Sequence, residues 1–242
     1  MSKGKYTYVW VSLVVLVFGI IFIPEIVDRI KGSKVVEQNR MHTASADEKL
    51  AYITLNNERR RVPEFSFLDQ DSLLISNEDY LGKVYVIDFF FTSCPTICPV
   101  MSKNLVELQD EFREFENFGL ASFTINPEYD TPSVLKEYAE LYGISDMDWH
   151  LMTGEIDKIY DLANVGFNIY AAADPNVPGG FEHSGLFALV DKQGYIRSRL
   201  DQFGNPIIYY RGTITEEQNV NADGEEEQIG ILKEDIRKLL DE

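Results

Sequence analysis

With 242 residues, 45% of them apolar and 12% aromatic, the chain has material for one ordinary core plus extra segments. Its net charge of −18, from 40 acidic against 22 basic residues, argues against nucleic acid as a partner, since a phosphate backbone needs Lys/Arg stripes and none is visible. Two cysteines are too few to replace a core as a scaffold, which makes a purely structural staple the poorer reading of that pair.

Residues 6–24, YTYVWVSLVVLVFGIIFIP, carry no charge. As a helix they would span about 28 Å, close to the hydrocarbon thickness of a bilayer. Tyr6, Tyr8 and Trp10 sit at one end, where amphipathic rings favour the headgroup region. A cleavable signal peptide is the alternative, but the small-residue pattern Ala44-Ser45-Ala46 lies too far downstream to serve it. The expectation is a single transmembrane anchor at 6–24 behind a short N-terminus at 1–5. Lys3 and Lys5 before the span, and Arg29, Lys31 and Lys34 after it, leave orientation undecided by charge. Residues 25–61 are charged and lack an apolar face, and read as a tether.

The globular domain is expected over 62–242. Phe65 to Leu68 and Ser72 to Ile75 flank an Asp69-Gln70-Asp71 turn and read as a hairpin. Lys83 to Phe91, KVYVIDFFF, is a near-continuous apolar run, as in a central strand buried on both faces. Met101, Leu105, Leu108, Phe112 and Phe115 then recur at helical spacing. Leu120 to Ile125 reads as a second buried strand. Thr131 and Pro132 open a further helix as N-cap and first helical residue. Trp149 to Met152 reads as a short strand, Glu155 to Val165 as helix, and Phe187 to Asp191 with Tyr195 to Leu200 as a hairpin. Ile229 to Leu240 is an amphipathic closing helix. Strands alternating with helices in this way predict an α/β sandwich of thioredoxin type. An acidic, Asn/Glu-rich stretch over about 205–228 reads as a loop insertion or a hairpin extension, without an assigned role.

Both cysteines, Cys94 and Cys98, lie in FFFTSCPTICPVM, where the buried strand turns into a helix. Unpaired N–H groups and the helix dipole favour a thiolate there, and the thiolate is both the reactive and the metal-binding form. The three-residue spacing admits either a first helical turn or a wound loop. Two thiolates suit soft metals, Cu(I) above all and also Zn(II), but a third donor must come from elsewhere. Of three histidines, His42 falls in the tether and His150 in a strand, where a satisfied structural histidine is the plainer reading. His183, in DPNVPGGFEHSG, lies in a glycine-containing loop that reaches the same end of a thioredoxin-like sheet, and is the candidate third ligand. Glu128 and Asp130 read as turn and helix-cap residues, and Met101, Met147 and Met152 as core filling in place of a copper relay. A peroxidatic thiol would need an arginine beside it, and none accompanies Thr92.

Four blocks carry a resemblance to the Sco/SenC family of membrane-anchored copper-binding proteins: GKVYVIDFFFTSCPTICPVM, FTINPEYDTPSVLKEYAELYG, WHLMTG and EHSGLFALVDKQGYIR. The chain resembles that family over most of 62–200 plus the anchor. The family's CxxxC pair falls on Cys94 and Cys98 and its distal histidine on His183. The resemblance implies a thioredoxin-like fold, a copper site of two sulfurs and one nitrogen, and assistance to the copper A centre of cytochrome c oxidase. It also implies an inner-membrane protein with its domain on the extracytoplasmic side, served by an upstream copper donor or thiol reductant. The alternative is a thiol–disulfide oxidoreductase that reduces cysteines of an oxidase subunit or another extracytoplasmic protein. Two positions depart from the family pattern: Asn126 stands where many relatives have Asp, and Glu182 replaces the commoner Asp before the histidine.

Overall fold

The structure is a computed structural model that describes residues 12–13, 16–18, 49–55, 57–201 and 203–242. It divides into two compact units, 1–39 and 40–242. Of the first, only helical residues 12, 13 and 16–18 are described, so most of the expected anchor at 6–24, like the tether up to 48, lies outside the described residues. Among the described residues no helix is long and apolar enough to cross a membrane.

In the second unit the strands are β1 (Ala51–Tyr52), β2 (Thr54–Leu55), β3 (Glu58–Arg59), β4 (Ser66–Leu68), β5 (Leu74–Ser76), β6 (Val84–Phe90), β7 (Phe118–Thr124), β8 (Trp149–Met152), β9 (Ala171–Ala173), β10 (Phe181–His183), β11 (Leu186–Val190), β12 (Ile196–Ser198) and β13 (Tyr210–Arg211). The helices are α1 (Cys98–Phe112), α2 (Pro132–Tyr142), α3 (Ile156–Asp161), which runs on into a π-helical turn over Leu162–Phe167, and α4 (Ile229–Asp241). The main sheet has the order β1-β12-β11-β6-β7-β8, with β13 added beside β11. β6, β7 and β8 are parallel, whereas β11 runs antiparallel to β6 and to β12. This is the thioredoxin-like α/β sandwich that the strand–helix alternation predicts.

β6 is central because its alternate side chains find apolar partners on both faces. Phe89 stacks on Phe123 and meets Phe167 edge-on, while Phe90 on the other face packs against Tyr138 of α2. All seven residues of β6, and all seven of β7, are buried. The sheet takes in more of the N-terminal segment than the 62–242 boundary supposes: β1 pairs with β12, and Leu50 and Ile53 join the core. These short stretches carry no periodicity that could mark them as strands. The hairpin β4–β5 forms in the expected place, with Phe67 opposite Ile75.

α4 is held on by buried charge as well as by its apolar stripe. Arg199 donates from Nε and a terminal nitrogen to Asp235, at 2.8 and 2.7 Å, and the Tyr210 hydroxyl donates to the same carboxylate at 2.7 Å. Asp235 is wholly buried and Arg199 is 5% exposed.

Candidate metal centre

β6 ends at Phe90, and residues 91–97 form a wound loop before α1 begins at Cys98. Of the two arrangements that the cysteine spacing admits, the loop is the one found. The Cys94 N–H donates to the Phe91 carbonyl at 3.2 Å, and the N–H groups of Val100 and Met101 donate to that of Ile97 at 3.0 Å. Pro99 occupies the first helical turn, where its missing N–H leaves no bond unmade. Pro95 lies ahead of the helix, in the bend that folds Cys94 back toward Cys98.

A second loop pins the bend. The N–H of Thr92 donates to Asp130 at 3.1 Å, and the hydroxyls of Thr92 and Thr124 donate to the same carboxylate. Asp130 is wholly buried, and its side chain braces the cysteine loop while the Thr131 backbone provides the N-cap of α2. The helix-cap reading of Asp130 is corrected accordingly. Glu128 is exposed in its turn, as expected.

His183 ends β10, which among the described residues pairs with β9 alone and places His183 opposite Ala171. This two-stranded ribbon is a regular element where the sequence suggested a loop. Strand alternation turns the exposed Glu182 away from the histidine's side. Gly179, at φ +87°, lets the ribbon's tip close on the cysteine loop, since a Cβ there would sit 2.9 Å from the Phe91 ring and 3.0 Å from Pro95 Cδ. The Phe91 and His183 rings meet edge-on at 5.9 Å, so Phe91 forms a wall of the site.

The three expected residues come together. His183 Nε2 lies 3.2 Å from Cys98 Sγ, and the two sulfurs and an imidazole nitrogen fall within 4.8 Å of one another. Among the described residues this is the one such cluster of His, Cys, Asp and Glu donors. Both cysteines are buried free thiols. His150 stands apart, with Nδ1 2.9 Å from Asp69 Oδ2, and is the satisfied structural histidine that its strand position suggests. His42 lies outside the described residues. Met152 is fully buried in the core and Met147 is exposed.

The two thiols differ in character. A hydrogen bond from Cys98 is the main cause that draws Cys94 down to about 3; burial opposes it, and His183, the Cys98 backbone and Thr96 add hydrogen bonds. Cys98 goes the other way, its thiol pushed far up by burial and then by its bond and charge interaction with Cys94. Asp88, in the middle of β6, is raised to about 7 by burial, offset in part by the Ser122 hydroxyl that donates to it. Two thiolates and an imidazole are a soft donor set that suits Cu(I).

Because the folded value of Cys94 lies below its ordinary 9.0, its thiolate contributes stability that is full above that value and is lost as pH falls through about 3. In the reduced, metal-free protein, ultraviolet thiolate absorbance should therefore persist from neutral pH deep into acid. His183→Ala should move its midpoint upward. A single alkaline midpoint in the unsubstituted protein would contradict this.

Comparison with known proteins gives one consistent family. The SCO1/SenC family model matches residues 54–215. The SCO1 protein homolog of Bacillus subtilis is 38% identical over 94 residues, which is 38% of this chain and 49% of that protein, so the chain spans about half the length of this relative. A Stutzerimonas stutzeri protein provisionally named as copper-binding is 29% identical over 155 residues, 62% of this chain and 74% of that one. The solved structure of BsSco, described as a member of the Sco family of cytochrome c oxidase assembly proteins and as containing a disulfide switch, superposes with a TM-score of 0.61 at 25% identity. It covers 80% of this chain and 98% of its own.

Proposed function

The chain belongs to the SCO1/SenC family, and from that premise we propose that it is a membrane-anchored copper chaperone which holds copper on Cys94, Cys98 and His183 and assists assembly of the copper A centre of cytochrome c oxidase. The observation that carries this reading is the convergence of two soft sulfurs and an imidazole nitrogen within 4.8 Å at the strand–helix turn. Copper is the cargo. Cu(I) is satisfied by two thiolates and one imidazole, and Cu(II) would add a fourth ligand such as water. His183 stands on a ribbon outside the main sheet, so the nitrogen donor can be exchanged first while both sulfurs keep the ion. An acceptor's thiolates would then replace Cys94 and Cys98 one at a time. The uncharged stretch 6–24 supplies the anchor, 1–5 faces the cytoplasm, the tether follows it, and the copper-binding domain stands on the extracytoplasmic side of the inner membrane.

A second reading rests on the inequality of the two thiols. A thiolate at Cys94 beside a protonated, buried Cys98 is suited to thiol–disulfide exchange. Cys94 would attack a target disulfide and form a mixed disulfide. Cys98 would then displace the target thiol, so that two electrons pass to the target and the Cys94–Cys98 disulfide remains. An external dithiol would restore the pair. The same chemistry prepares the site for copper, since an oxidised pair cannot bind it.

The discriminating experiment gives the Cu(I)-loaded full chain, and separately the reduced metal-free chain, to an oxidase copper A subunit. Metal appearing in the acceptor without net thiol turnover is the expected result. Reduction of the acceptor's disulfide with no metal delivered would replace the chaperone by the reductase.

A further inference from the structure

His183 sits on a ribbon that is separate from the main sheet, yet its Nε2 is held 3.2 Å from Cys98 Sγ. Part of the acidic insertion, the segment for which the sequence suggests no role, lies against the chain just after this ribbon. After His183 the chain turns through Ser184 and Gly185 into β11. The insertion's strand β13 grips it at this point, pairing Arg211 with Leu186 and Tyr210 with Phe187. The Gly212 N–H donates to the Gly185 carbonyl at 2.9 Å. Gly185 itself, at φ +65°, is enclosed: a Cβ there would lie 2.4 Å from Thr213 Cγ2 and 3.2 Å from Cδ1 of Ile97, the residue before Cys98.

The other side of this grip is α1. Asn104, fully buried and less than two turns along the helix from Cys98, donates from Nδ2 to the carbonyls of Gly212 and Ile214, at 2.9 and 3.1 Å. At its near end the segment is anchored by the Tyr210 bond to Asp235. One helix thus carries Cys98 at its start and, through Asn104, holds the strand that clamps the turn following His183.

We propose that residues 210–214 are a strap that sets the distance between His183 and Cys98, with Asn104 as its positioning residue, and that loosening the strap hastens copper release. The inference rests on the copper-binding reading above. Asn104 touches neither sulfur nor imidazole; it acts on the third donor alone. The insertion therefore serves to retain the cargo, and its displacement by a docked acceptor would free the His183 arm first.

The test compares the unsubstituted full chain with Asn104→Ala, Thr213→Ala and, as a control for general destabilisation, Ile75→Ala, buried in the β4–β5 hairpin, which pairs with neither β11 nor β13. In the metal-free protein, amide exchange at Gly212 should quicken about tenfold or more in Asn104→Ala relative to amides of β6, whereas Ile75→Ala should leave that ratio unchanged. With copper loaded, loss to a chelator should be faster in Asn104→Ala than in the unsubstituted chain, though by less than the about 10- to 100-fold that a group bonded directly to a ligand is worth. Its copper spectrum should move toward that of His183→Ala, and Thr213→Ala should fall between. Equal copper loss in Asn104→Ala and Ile75→Ala, or an unchanged exchange ratio, would overturn the strap. If the unsubstituted chain takes up no copper, the chaperone reading fails, and the metal-free exchange ratio still decides the strap.

Discussion

Cys98→Ser should lower Cu(I) affinity by roughly a thousandfold or more, because outer partners of metal ligands alone are worth 10–100-fold and a ligand is worth more. A serine oxygen is hard where Cu(I) wants soft sulfur. The protein should remain folded, since the hydroxyl nearly matches the thiol in size and can still meet His183. His183→Ala should also weaken binding strongly, yet leave two sulfurs that retain some metal. His150→Ala is the contrasting control: it breaks the contact with buried Asp69 and costs stability, while copper affinity stays as it was. Competition against a Cu(I) chelator under reducing conditions measures all three. Equal affinities for Cys98→Ser and the unsubstituted protein would remove the sulfur donor from the account.

Asp235→Ala should be the most destabilising single change at the helix α4 contact. It takes from the guanidinium of Arg199, 5% exposed, its buried bidentate partner, leaving the exposed Glu234 at 3.1 Å as its remaining carboxylate, and strips the Tyr210 hydroxyl of its acceptor. Breaking a buried pair from one side costs about 3–5 kcal/mol. For a domain of this size the thermal midpoint should fall on the order of 10 °C. Replacing both partners, Arg199→Leu with Asp235→Leu, should cost far less, because no buried guanidinium then remains to be compensated. If the single and double variants melt together, the pair is not what holds the helix.

The parts of the fold that announced themselves are those whose burial pattern is repetitive. KVYVIDFFF reads as a strand covered on both faces, and Met101, Leu105, Leu108 and Phe112 as one helix face; Phe115, placed on the same face by spacing, instead lies past the helix end at Phe112 and is exposed. The short strands β1, β9, β10 and β13 were not legible, because two or three residues make no period and their pairing partners are distant in the chain. Both cysteines and His183 could be singled out from residue type, spacing and resemblance. What held them could not be. Asp130 looks like a cap in sequence because it precedes Thr131 and Pro132, but its bonds run back to Thr92, 38 residues earlier. Asn104 is one polar residue on a helix, with no sequence signal that its amide reaches a strand more than a hundred residues away. Asp88 did carry a signal, as the single acid inside an apolar run, and its burial beside Ser122 accounts for its raised pKa. The acidic insertion reads by composition as a loop insertion or a hairpin extension, and the antiparallel pairing of β13 with β11 places a strand within it.

The central claim is that two sulfurs and one imidazole of this chain hold copper together. X-ray absorption on the full chain loaded with one equivalent of Cu(I) tests it most directly. The expected result is a three-coordinate ion with two sulfur neighbours and one imidazole nitrogen, and loss of the imidazole signal in His183→Ala. A sulfur-only environment that His183→Ala leaves unchanged, or one made of nitrogen and oxygen alone, would contradict it.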